Sequence, residues 1–239
     1  MKNTDRCGAG LWVFGALGMA LAAALLSGCA STTYQARKAE PSGFLGDYSQ
    51  LRPGQTNEAL LVYVNRQANF KAYSKILLDP VRVYAASGSA LGKLADEDLQ
   101  RLVNYLDATL REHLKADYAF VNAPGPDVMR LRVAITEARG AKVALDTFST
   151  LMPIGLAVSE VKNLSTGSHS AVGAAGVECE ALDSASGERL FAAVDKRVGQ
   201  KMTGKFDKFE KWRTPNDAFD YWAERLQTRL AEERNKGGR

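Results

Sequence analysis

Two runs in the second half of the chain constrain its fold most. Residues 172–182 and 188–198 are separated only by Asp183-Ser184-Ala185-Ser186-Gly187. A short Asp/Ser/Gly turn between two strand-like runs predicts an antiparallel hairpin. A third run, 128–138, alternates in the same way. Met129, Leu131, Val133 and Ile135 share one side, and Val128, Arg130, Arg132 and Ala134 the other. That period of two is expected of a strand with one face buried.

Other segments carry the helical period. Over 96–114, Leu99, Leu102, Val103, Leu106, Leu110 and Leu114 recur at three- and four-residue spacing, the apolar stripe of an amphipathic helix. Asp96, Glu97 and Asp98 sit in its first turn, where the helix dipole favours negative charge. The last helix opens at Thr214-Pro215-Asn216-Asp217, with Phe219, Trp222, Leu226 and Leu230 as its apolar face. Threonine caps well, and proline fits the first turn. A further helix is expected after Pro153, with Ile154, Ala157, Val158, Val161 and Leu164 on one side. Residues 60–64 and 75–84 read as strands, and Pro80 predicts a bulge or an edge in the second. Residues 118–121 suit a short strand. The order strand, helix, strand, helix, hairpin, helix predicts an α+β fold: one mostly antiparallel sheet with helices packed on one face.

The N-terminus sets the compartment. Lys2 and Arg6 precede an almost uncharged run over 11–26 that ends in Leu26-Ser27-Gly28-Cys29. The run is shorter than the ~20 residues of a spanning helix and ends in small residues, as secretory signals do. It resembles the bacterial lipobox, in which cleavage falls between Gly28 and Cys29 and the cysteine sulfur receives acyl chains. The expected organisation is a signal at 1–28, a lipidated cysteine with tether and docking segment at 29–58, an α+β domain at 59–231, and a disordered tail at 232–239. Residues 31–42 read as the spacer; Phe44, Leu45, Tyr48 and Leu51 are apolar enough to dock on the body. Ala30 after the cysteine, by resemblance to the sorting pattern of diderm bacteria, favours the outer membrane.

Charge and cysteines exclude several classes. Removing Lys2 and Arg6 from 31 basic residues, and Asp5 from 27 acidic ones, leaves an excess of only three positive charges. That is not the basic surplus of a nucleic-acid binder. Cleavage at Cys29 also removes Cys7, so Cys179 would be the only thiol left in the body, and no internal disulfide is expected. Alternation places Cys179 with Val177 and Ala181 on the apolar face, as an inert buried thiol.

Ser42-Gly43-Phe44-Leu45, Asp47-Tyr48, Leu51-Arg52-Pro53-Gly54, Leu78-Asp79-Pro80-Val81, Leu131-Arg132-Val133-Ala134, Ser149-Thr150-Leu151-Met152-Pro153 with Gly155, and Leu182-Asp183-Ser184 with Gly187-Glu188 occur in this order. The pattern resembles the bacterial lipoproteins grouped as domain of unknown function 3313. The resemblance spans most of the chain after Cys29. It implies an exported, lipid-anchored protein, and it brings no catalytic residues with it.

The chain offers little chemistry of its own. His113 and His169 have no metal-ligand spacing, so neither a metal nor a cofactor is expected. No G-x-S-x-G elbow is present. Glu178 and Glu180 lie two apart on one strand face. Paired carboxylates serve glycoside hydrolysis, but alternating glutamates also belong on a solvent face, and that is the reading taken here. Residues 196–213 carry seven basic residues with Phe206, Phe209 and Trp212 at three-residue spacing. Lys201, Lys205, Lys208 and Lys211 with those aromatics form a candidate surface for anionic envelope material or a partner. The alternative is an amphipathic turn whose rings dock on the core. Residues 145–156 are a second apolar candidate, for self-association or core packing. The expected function is binding without catalysis: a membrane-anchored scaffold or regulator of an envelope protein. An oligomeric component of an envelope assembly or export complex, or a cell-wall hydrolase, are the alternatives.

Overall fold

The computed structural model describes residues 33–140, 173–199 and 211–236. Among the described residues nine strands join in one sheet: β1 (Thr33–Gln35), β2 (Arg52–Pro53), β3 (Leu61–Val64), β4 (Lys75–Leu78), β5 (Arg82–Val83), β6 (Ala119–Phe120), β7 (Val128–Arg139), β8 (Ala174–Asp183) and β9 (Arg189–Gly199). The main path runs β2-β3-β9-β8-β7-β4-β6, with β1 paired to β9 and β5 to β7. The expected hairpin is β8–β9, in antiparallel register from Ala174↔Val198 to Leu182↔Arg189. Antiparallel pairs dominate from β2 to β7, while β4, β5 and β6 add parallel pairs at the other end. The sheet is therefore mixed, within the α+β class that the sequence predicts. Pro80 separates β4 from β5, and both pieces pair with β7, because proline gives the ladder no N–H.

Two long helices, α1 (Asp96–Leu114) and α2 (Arg213–Lys236), lie on one face. The bounds of α1 are those its leucine stripe predicts, and Leu99, Leu102, Leu106, Leu110 and Leu114 are all buried. Burying each contributes roughly 1.5–3 kcal/mol. From the sheet, Met129, Leu131, Val133, Ile135, Val177 and Phe191 meet them, and α2 adds Phe219 and Leu230. The helices are tied to each other where the Tyr105 hydroxyl donates to Asp220 at 2.9 Å. The first turn of α2 approaches the sheet closely: a Cβ at Gly173 or Gly199 would come within 2.6 Å of Thr214 Oγ1. Those glycines leave the room that the helix start occupies.

Three expectations change. Strand β7 is buried on both faces along much of its length, not on one. The second cover is a smaller apolar cluster in which Phe44 and Leu45 pack on Ala134, Ala192 and Val194, with Tyr48 and Leu51 partly buried beside them. The docking segment is thus a strap across the face opposite α1 and α2. The spacer read over 31–42 is shortened, since Thr33–Gln35 pairs with β9 as a strand. At the other end, α2 continues through Lys236, so the tail expected from residue 232 is helical for another turn. The helix expected after Pro153, the apolar run 145–156 and His169 lie outside the described residues.

Candidate functional site

Glu178 and Glu180 project from β8 onto the strap face, and neither reaches water: they are 0 % and 2 % exposed. This corrects the solvent-face reading. Their alternation is as expected, but the face is covered. Glu178 accepts the backbone N–H of Ser42 on Oε1 and the Tyr48 hydroxyl on Oε2, each at 2.6 Å. Burial, and then the bond to Glu178, push the Tyr48 hydroxyl up to about 12. Glu180 pairs with Arg132 on one oxygen and accepts Arg189 Nε at 2.9 Å on the other. Arg189 spends its remaining donors on the strap: Nη2 reaches the Leu45 carbonyl at 3.0 Å and Nη1 the Asp47 carbonyl at 2.8 Å. The Arg132 guanidinium lies 5.0 Å over the Phe44 ring. A buried carboxylate is tolerated only when it is paired and hydrogen-bonded. Here the pairing partners are what hold the strap down.

Another buried carboxylate, Asp195 of β9, works on the opposite face. Oδ1 accepts Gln35 Nε2 at 2.7 Å and the Leu60 N–H at 3.2 Å, and Oδ2 accepts the Trp222 indole N–H at 2.7 Å. One side chain thereby joins the end of β1, the entry to β3 and helix α2. Nearby, Arg197 grips the Thr33 carbonyl at 2.6 Å and its hydroxyl at 2.8 Å, and stacks 3.7 Å from the Tyr221 ring.

Beside Asp195 lies a cavity of about 140 Å³ between the sheet and the helices. Its floor is Val62 and Val64 of β3, Ala193 of β9, and Val177 and Cys179 of β8. Leu106 and Leu110 of α1, with Leu226 and Leu230 of α2, form the roof. The space arises where two small side chains, Cys179 and Ala193, stand opposite each other in register. Asn57, Glu58, Arg225, Arg229 and Glu233 surround the mouth. Burial, with Glu180, Glu178 and Asp195 adding their charge, pushes the Cys179 thiol up to about 12, so it stays protonated. That fits the unreactive thiol expected from sequence.

Gly28, Cys29, Lys201, Lys205, Phe206, Lys208 and Phe209 lie outside the described residues. Lys211 and Trp212 both turn onto the first turn of α1: Lys211 Nζ is 2.7 Å from Asp98 Oδ2, and Trp212 Nε1 donates to Asp98 Oδ1 at 3.1 Å. His113 closes the last turn of α1. Among the described residues no cluster of three metal-ligating side chains occurs, and no helix is long and apolar enough to cross a membrane. Asp195, Arg189, Arg197 and the cavity were not singled out. Register alone pairs Arg132 with Glu180, a signal of a charged pair on one face; the cavity depends on how α2 lies over the sheet.

The family described as "Protein of unknown function (DUF3313)" matches residues 40–226. The chain belongs to this family. The strap, all of β2 to β9 and most of α2 fall inside the match. A curated relative, the "Uncharacterized lipoprotein YdcL" of Escherichia coli K12, is 26 % identical over 182 residues, spanning 75 % of this chain and 80 % of the relative. Solved structures with some likeness include a PelC dodecamer from Paraburkholderia phytofirmans (14 % identity, TM-score 0.39, covering 70 % of this chain and 96 % of that one). Another is a DUF4136 family protein from Bacteroides thetaiotaomicron (12 %, TM-score 0.33, covering 72 % and 95 %).

Proposed function

We propose that this DUF3313 protein is a lipid-anchored component of the cell envelope that acts by binding, as a scaffold or regulator of a periplasmic or outer-membrane partner. The membrane contact is through acyl chains on Cys29 after cleavage behind Gly28. Support comes from Leu26-Ser27-Gly28-Cys29 and from a relative that is itself called a lipoprotein. Ala30 favours the outer membrane, with the body on its periplasmic side. The observation that carries the binding reading is the use made of the buried acids. Glu178, Glu180 and Asp195 each accept bonds from the chain's own strap, strands or helix. They are committed to holding segments together and are closed to a substrate. The basic and aromatic residues Lys201, Lys205, Phe206, Lys208 and Phe209 supply a contact for anionic envelope material, weakened by salt, while Lys211 and Trp212 are engaged by Asp98.

Crosslinking in intact cells tests this reading. Wild-type protein should give one distinct crosslinked species, which Cys29→Ala loses as the protein leaves the membrane fraction. A ladder of identical subunits would instead favour an oligomeric assembly component. Release of soluble fragments from purified peptidoglycan, abolished by Glu178→Gln, would overturn the non-catalytic reading.

A further inference from the structure

We infer that the cavity between the sheet and α2 is a binding site for one acyl chain bearing an anionic head. The inference stands on the cavity alone and is independent of the protein-partner reading above. Three observations carry it.

The first is the lining. Val62, Val64, Val177, Leu106 and Leu226 make the walls almost wholly apolar. The acid that lines it beside Leu60, Asp195, already accepts three bonds from Gln35, Leu60 and Trp222. A water needs two to four polar partners to settle, and an apolar cavity of this kind stays dry and accepts hydrocarbon. The second is size. About 140 Å³ is close to the ~150 Å³ of an engineered cavity that takes one benzene. It has room for the end of a single chain, on the order of six carbons, and none for a sterol or two chains.

The third is charge at the mouth. Arg225 and Arg229, one turn apart on α2, both donate to the single carbonyl of Asn57, at 2.6 and 3.1 Å. Asn57 holds that carbonyl there with a positive φ of 66°. The mouth carboxylates have partners of their own: Glu58 pairs with Arg52 at 2.8 Å and also feels the charge of Arg229, and Glu233 pairs with Lys236 at 2.5 Å. Arg229 is paired with Glu232 at 2.8 Å. Arg225 has no carboxylate partner among the described residues, and a guanidinium has five N–H donors in a fork that fits carboxylate or phosphate. An apolar chamber with that cation at its rim complements an amphiphile in both its parts. Fatty acids and single-chain phospholipids share this chemistry.

The test uses the full-length lipidated protein in vesicles of neutral phospholipid. The vesicles carry a trace of a photoreactive palmitate, a photoreactive lysophosphatidylglycerol or a photoreactive monoacylglycerol. Crosslinked peptides are then mapped by mass spectrometry. Label on the peptides containing Ala193 and Leu226 is expected from one or both anionic probes, and the arm that labels tells carboxylate from phosphate. Ala193→Phe, which fills the chamber, should abolish it. Arg225→Gln, at the exposed mouth, should reduce it about tenfold, the worth of a charge-assisted bond, and Arg225→Lys should restore part. Should Ala193→Phe fail to fold, Arg225→Gln decides, together with photoreactive fatty acids too short to fill the chamber; below about six carbons, each methylene lost from it should cost roughly fourfold. Label spread evenly over the surface would overturn the assignment. So would cavity labelling indifferent to Ala193→Phe and Arg225→Gln, or equal labelling by the neutral monoacylglycerol.

Discussion

The two faces of the sheet are covered by different means. On one, α1 and α2 bury a continuous apolar cluster from Phe70 to Leu230. On the other, a strap of about ten residues buries only two apolar side chains, Phe44 and Leu45, and is otherwise held by Glu178, Glu180 and Arg189. Hydrophobic burial is non-directional and roughly proportional to area, so the helix face holds together through its summed contacts around the chamber. Hydrogen bonds to buried charges are directional, and losing one partner leaves the other stranded. The helix face therefore spreads its stability over many contacts, whereas the strap face depends on a few bonds being made in full.

Substitutions on the two faces should separate these modes. Phe219→Ala, at a fully buried position of α2, is expected to cost about 3–5 kcal/mol and to lower the midpoint of thermal unfolding by on the order of 10 °C. An unchanged melt would refute the claim that this face carries most of the stability. Arg189→Met should cost about 2–3 kcal/mol but act locally. Amide exchange over residues 42–51 should accelerate while α1 keeps its protection; equal acceleration in both would show that the faces are not separable. Tyr48→Phe removes one of the two bonds that Glu178 accepts and should cost about 1 kcal/mol. In the wild type that contribution is whole below the ordinary tyrosine pKa and lost as pH rises through about 12. A urea titration of the variant gives the number.

The smallest effect lies at low pH. The bond from Arg52 holds the Glu58 carboxyl down to about 2, against an ordinary 4.5, with burial opposing and the Gln55 N–H adding to it. A depressed carboxylate stabilises the fold above its unfolded value, and the contribution fades as pH falls from 4.5 toward 2. Glu58→Gln should accordingly flatten the dependence of the melting midpoint over that window. A parallel shift at every pH would mean that ionisation of this residue plays no part.

How far sequence could see follows the same division. The α1 helix declared itself to the residue, because its leucine stripe and acidic first turn both depend on near neighbours. The β8–β9 hairpin did so for the same reason. Alternation also grouped Glu178 with Glu180 correctly, yet put them on the water side. A period of two says which residues share a face and is silent on what lies across it. The cover there is an aperiodic strap more than 120 residues earlier in the chain, visible in sequence only as Phe44, Leu45, Tyr48 and Leu51 being too apolar for a free linker. The cavity was harder still, since it is the gap left by Cys179 and Ala193 once α2 is in place.

Strand β1 has a mechanical consequence. Thr33 and Tyr34 are laddered to Gly199 and Val198, and Arg197 clasps Thr33 through both its carbonyl and its hydroxyl. A tug travelling along the polypeptide from residue 32 meets an interior strand of the sheet before it reaches the strap. The ladder and the clasp share that load, so tension at this end is passed to β9 while the bonds around Glu178 stay slack.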